Sequence, residues 1–180
     1  MPADYQDFVE MKRFLNFDET DVANLKSLAP TFVIHGPGVT DRFYETLGRF
    51  PETAKLIDGR IDALKATHAQ WMSELFAGDY EEAYFDRRVK IGMVHVRIGL
   101  PPYFVEAVMN FIRTEGLLAI HQEHPNNADT LSRSLLKILD LDLILINMAY
   151  SEERLDRVAA FTGMSRKLIE NVITRAKKKK

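Results

Sequence analysis

No glycine or proline interrupts residues 128–150, and the centre of that stretch, Leu135 to Ile146, is almost wholly apolar. The portion Leu139-Asp140-Leu141-Asp142-Leu143 alternates as a half-buried strand would, so a β reading has to be weighed. It fails on length and on composition, because the run outlasts an ordinary strand and leucine outnumbers the β-branched residues that strands favour. The segment is expected to be a helix. A helix apolar nearly all round has two faces to bury. One is expected to meet its own core and the other a second chain, giving a homodimer built on the last two long helices; a central helix of a monomer satisfies the same pattern.

The rest of the chain reads as further helices. Asp4 and Asp18 stand where N-caps belong, ahead of apolar stripes over about 4–15 (Tyr5, Phe8, Val9) and 18–34 (Val22, Leu25, Leu28, Phe32). Gly36-Pro37-Gly38 is expected to break the second helix and start a third that carries Phe43, Tyr44, Leu47 and Phe50. Pro51 opens a short turn, Asp58-Gly59 marks a loop, and a long helix from Ile61 ends at Ala77-Gly78-Asp79. Another runs from about Tyr80 to His95, a further one from Pro101 to His124-Pro125, and a last one over about 165–176, ending in the basic run Lys177 to Lys180. That tail reads as a solvated helix end. No strand-turn-strand pattern occurs, so the fold class is all-α.

Composition narrows the chemistry. With 180 residues, 46% of them hydrophobic, the chain has material for one core. It has no cysteine, which removes disulfides, thiolate metal sites and cysteine nucleophiles. A net charge of -2 gives no ground for nucleic-acid binding. There is no signal-peptide layout and no uninterrupted apolar run long enough to span a bilayer, so a cytoplasmic protein with no membrane partner is expected. His121 and His124 flank Glu123 without zinc-binding spacing and are expected to face solvent. No nucleophile elbow is present.

The stretch Ile91 to Pro102 is the most specific in the chain: a helix end, a Gly99 corner and a proline pair opening the next helix. His95 lies there among Ile91, Val94, Val96 and Ile98, where a neutral imidazole suits iron as well as a structural role. The motif His95-Val96-Arg97-Ile98-Gly99-Leu100-Pro101 resembles the signature of the globin-coupled sensors. Leu64-Lys65-Ala66-Thr67, Leu75-Phe76-Ala77-Gly78, Phe85-Asp86-Arg87-Arg88, Phe43-Tyr44 and Phe50-Pro51-Glu52 extend the resemblance, in order, over about residues 8–155.

That resemblance implies a globin-like helical sandwich with a lead-in helix, over 1–155, and a helical extension or linker remnant over 156–180. It implies haem b, with His95 as proximal iron ligand and Tyr44 as distal hydroxyl donor. Thr67 would face the gas, and His68 is an alternative distal ligand in the absence of gas. Phe43, Leu56, Leu64, Val89 and Ile91 are expected to supply the apolar wall. The family's tyrosine after the corner is not matched, since Val105 holds that position. The implied function is a non-enzymatic sensor of O2, with CO or NO as further ligands, signalling through a helical dimer. Its output would lie in a further domain or a partner protein, because the 30 residues after Tyr150 are too few for one. A haem enzyme consuming nitric oxide or peroxide and a cofactor-free helical interaction module are the alternatives.

Overall fold

The computed structural model describes residues 4–176, and every regular element among them is a helix. The order is α1 (Tyr5–Phe14), α2 (Glu19–Gly48), α3 (Pro51–Ile57), α4 (Ile61–Glu74), α5 (Glu82–Arg97), α6 (Pro102–Glu123), α7 (Ala128–Thr162) and α8 (Arg166–Ala176). Lys177 to Lys180, read as a solvated tail, lie outside the described residues.

Local chemistry sets the helix starts. Asp18 accepts from Thr20 N at 2.8 Å and Asp21 N at 3.2 Å, while the Asp21 carboxylate takes the Asp18 backbone N–H at 3.1 Å. This reciprocal box satisfies donors that a helix start otherwise leaves unpaired. The same arrangement of Asp4 and Asp7 opens α1. At the other end of the chain, Gly163 takes a φ of 70° and closes α7, a backbone region in which a side chain is strained.

Gly36-Pro37-Gly38 does not break the second helix. α2 runs through Pro30 and Pro37 for 30 residues. Gly36 instead serves close packing: a Cβ there would lie 2.7 Å from Met72 Sδ of α4. The glycine lets two helices approach, and α2 continues although each proline removes a hydrogen bond. Gly92 plays the same part on α5, where a Cβ would lie 2.6 Å from Ala149 Cβ and 2.7 Å from the Ile146 carbonyl of α7.

α7 is the central helix. It packs against α1, α2, α5, α6 and α8. Leu135, Ile138, Leu139, Leu141 and Leu145 are wholly buried within the single chain. Most of the apolar surface over 128–150 is therefore covered by neighbours of the same chain, while Leu136, Leu143, Ile144 and Met148 stay partly exposed. The helix also runs on to Thr162, through the position expected to separate 1–155 from 156–180.

Within this core lies a polar hub. Asp142 of α7 is 0% exposed and accepts from Trp71 Nε1 of α4 at 2.7 Å, Arg88 Nε of α5 at 2.8 Å and the Tyr84 hydroxyl of α5. Arg88, also fully buried, bonds to Glu74 as well and lies 4.0 Å from the centre of the Tyr84 ring. Burial pushes the Asp142 carboxyl upward, with the Arg88 charge and three donors pulling against it. A second buried cluster ties the start of α2 to α7: Ser134 donates to Asp21 at 2.7 Å and Lys137 Nζ to Asp21 at 2.7 Å.

Removing one member of a buried pair strands the other charge, at a cost of about 3–5 kcal/mol. Asp142→Ala is expected to lose stability in that range in urea unfolding followed by circular dichroism. A loss below about 1 kcal/mol, the size of a surface pair, would show that the hub does not hold the helices together.

Candidate functional site

A cavity of about 540 Å³ opens between α2, α3, α4, α5 and α6, with Ile146 of α7 in its wall. Its size and mostly apolar lining are those of a site for a ligand with few polar anchors. Helical spacing decides which side chains reach it. On α5, Arg87, Arg88, Ile91, Val94, His95 and Ile98 line it, positions that fall on one side at 100° per residue. Val89 does not belong to this wall. Two residues from Ile91, it points the other way and packs in the main core, a correction to its expected place.

Phe43, Tyr44, Leu56, Leu64, Thr67, His68, Ile91 and His95 do converge on the cavity. Their polar atoms differ in what they have left to offer. His95 Nδ1 is buried and has no hydrogen-bond partner among the described residues. Burial holds its imidazole neutral, with the pKa pushed down to about 4. The Tyr44 hydroxyl makes no hydrogen bond among the described residues, and burial pushes its pKa up to about 12, so it stays an O–H donor.

The neighbours Thr67 and His68 are placed differently. Thr67 is exposed, and its hydroxyl is turned back to the Ala63 carbonyl at 3.0 Å. His68 is turned inward. Its Nδ1 lies 2.9 Å from Thr40 Oγ1, its Nε2 is buried without a partner, and its ring stacks on Trp71 with centroids 5.2 Å apart. Burial holds this imidazole neutral too, with a pKa of about 4.

Sequence reasoning passed over two kinds of residue here. Phe104, Val105, Val108, Met109 and Ile112 line the cavity from α6; their spacing was a readable apolar stripe. Tyr150 supplies the aromatic near His95, with ring centroids 6.5 Å apart and its hydroxyl donating to the Leu100 carbonyl at 2.8 Å, but nothing in the chain's local pattern announces that pairing. Tyr103 is exposed and bonds Glu52 instead. Away from the cavity, His124 is not a solvent-facing helix end: it is half-buried, with Nε2 2.7 Å from Thr31 Oγ1. His121 is exposed, as expected.

Residues 4–156 match the family model described as Protoglobin. The chain belongs to the protoglobin family. This protoglobin is also similar to the globin domain of the Geobacter sulfurreducens globin-coupled sensor, at 34% identity and a TM-score of 0.74, over 78% of this chain and 95% of that one. A curated relative, the heme-based aerotactic transducer HemAT of Halobacterium salinarum, is 28% identical over 92 residues, 49% of this protoglobin. The match spans 19% of the transducer's length. The all-α, globin-like fold and membership among sensor globins follow; among the described residues no helix is long and apolar enough to cross a membrane.

The two buried histidines make a pH dependence in the cofactor-free protoglobin. The unfolded chain takes up their protons near pH 6.5, whereas the folded chain resists until about pH 4. Stability is thus full above pH 6.5 and falls through the window down to pH 4, by roughly 1.4 kcal/mol per pH unit for each histidine. Urea midpoints at pH 7.5 and pH 5 are expected to show the loss, reduced in His68→Leu. Equal midpoints would show that the rings titrate as if exposed.

Proposed function

We propose that this chain is a haem-based oxygen sensor domain, not an enzyme, with haem b in the cavity and O2, and also CO or NO, as its ligands. Bound haem supplies an iron with an open site at which a diatomic gas binds reversibly. The observation that carries this reading is the neutral imidazole of His95, which lines an apolar cavity and makes no side-chain hydrogen bond among the described residues. An imidazole that holds a metal through one ring nitrogen keeps its proton on the other, and neither nitrogen of His95 is claimed by a neighbour among the described residues. Arg60 and Lys90 at the rim suit the carboxylates of the cofactor.

The remaining roles follow from what each side chain has free. Tyr44 holds an O–H donor for the partial negative charge that a bound gas carries. Thr67 is the weaker donor, since its hydroxyl proton is already given to Ala63. His68 keeps one ring edge free in the cavity, which suits it as the distal group that occupies the site when gas is absent. Peroxidase-type chemistry asks for a free acid-base pair; the carboxylate that lines this cavity, Glu74, is engaged by Arg87 and Arg88.

Signal output through a helical dimer has apolar surface to use on α7 at Leu143 and Ile144 and again at the far end of the chain. There Val158, Phe161, Leu168, Val172 and Ile173 are exposed, Phe161 at 93%. A partner protein or a further segment would read that surface.

Two outcomes are expected. Wild type takes up haem with a Soret band that His95→Ala loses, and Tyr44→Phe speeds oxygen release about 3- to 10-fold, the worth of one neutral hydrogen bond. A Soret band unchanged in His95→Ala would overturn the ligand assignment, and an unchanged release rate the Tyr44 one. For the dimer, Phe161→Asp with Val172→Asp is expected to halve the mass in sedimentation equilibrium; wild type already at monomer mass would sink it.

A further inference from the structure

Thr40 lies in α2, buried at 5% exposure, with its hydroxyl oxygen 2.9 Å from His68 Nδ1. Thr46, Thr67, Thr162 and Thr174 all turn their hydroxyls back to the carbonyl four residues earlier, a common choice for a threonine within a helix. Thr40 does not. His68 is its hydroxyl's one hydrogen-bond partner among the described residues.

This leaves a question of proton placement that the surroundings decide. A neutral imidazole carries one N–H and one acceptor nitrogen. Were the proton on Nδ1 and given to Thr40, the Thr40 hydroxyl hydrogen would have no acceptor and Nε2 no donor. Two buried groups would then be unpaired. With Thr40 donating to Nδ1, the proton stays on Nε2 and only that N–H is unpaired. Unsatisfied buried groups are costly, so the second arrangement wins. Nδ1 is held toward α2, and Nε2 is the buried, unpaired nitrogen of a ring that lines the cavity together with Phe43, Tyr44 and Trp71.

We propose that Thr40 is a positioning residue that sets the tautomer of His68, so that Nε2 carries the proton and serves as a second donor to a diatomic ligand that reaches it, beside the Tyr44 hydroxyl. Service as an iron ligand through Nε2 requires the opposite tautomer, with the proton on Nδ1 and Thr40 turned from donor to acceptor. The two uses of His68 thereby differ by one hydroxyl rotation together with the relocation of one proton from Nε2 to Nδ1. The gas-binding half of the proposal rests on the function proposed above; the tautomer does not.

The first test is therefore made on the cofactor-free chain. Two-bond proton-nitrogen NMR of the histidine rings, assigned with His68→Leu, is expected to show Nε2 protonated and Nδ1 as an acceptor; the reverse overturns the proposal. In the haem-loaded chain, Thr40→Val is expected to raise the rate of oxygen release about 3- to 10-fold. Thr40→Ser, which keeps the hydroxyl, is expected to restore it. Adding Thr40→Val to His68→Leu is expected to change nothing more, because the effect passes through the imidazole. The same increase with and without His68 would make Thr40 a packing residue and overturn its role. Failure of wild type to take up haem would remove the sensor reading, with the tautomer still decided by NMR.

Discussion

The carboxylate of Asp142 is the constraint on which the cavity depends. It stands on α7 and is held by Trp71 of α4 and by Tyr84 and Arg88 of α5. Those two helices carry the two cavity histidines. Trp71 gives its N–H to Asp142 and its ring face to His68, while Arg88 lies seven residues, close to two turns, before His95. The distances between the two walls of the cavity are thus set by a network in the core rather than by loops. A buried charge is an expensive way to join three helices. Its directional bonds fix one arrangement, where an apolar contact in its place would tolerate sliding.

Much of this fold was readable from residue order. Capping aspartates, apolar stripes and the Gly99 corner place the helices because they act within a few residues of themselves. The errors arise where distant residues decide. Gly36-Pro37-Gly38 looks like a break until α4 is seen to need the space that a side chain at Gly36 would fill. The apolar run of α7 looks alike on every side until four earlier helices are seen to bury most of it and to leave Leu143 and Ile144 partly exposed. In both cases the local signal was correct as chemistry, and its use was set by tertiary packing.

The cavity was legible to the same degree. Motifs in the right order named most of the residues that meet there, and periodicity alone corrects Val89, which shares no face with Ile91. Thr40 and Tyr150 could not be found that way. Each acts through a single contact across a long sequence separation, Thr40 with His68 and Tyr150 with the Leu100 carbonyl beside His95. A lone polar residue on an apolar face carries no mark of its partner. The difference between Thr67 and His68 was equally hidden, since it depends on which hydroxyl a helix carbonyl has already claimed.

The length of α7 has a mechanical consequence. The helix touches the His95 side of the cavity at Tyr150 and continues unbroken for twelve residues to Thr162, a reach of about 18 Å at 1.5 Å per residue. A rigid helix of that reach has the geometry of a lever pivoted at Tyr150, beside the cavity. A tilt of about 5° at Tyr150 sweeps the far tip through roughly 1.5 Å on that geometry. Shifts too small to disturb packing around a ligand become, at the exposed end, as large as a carbon-carbon bond.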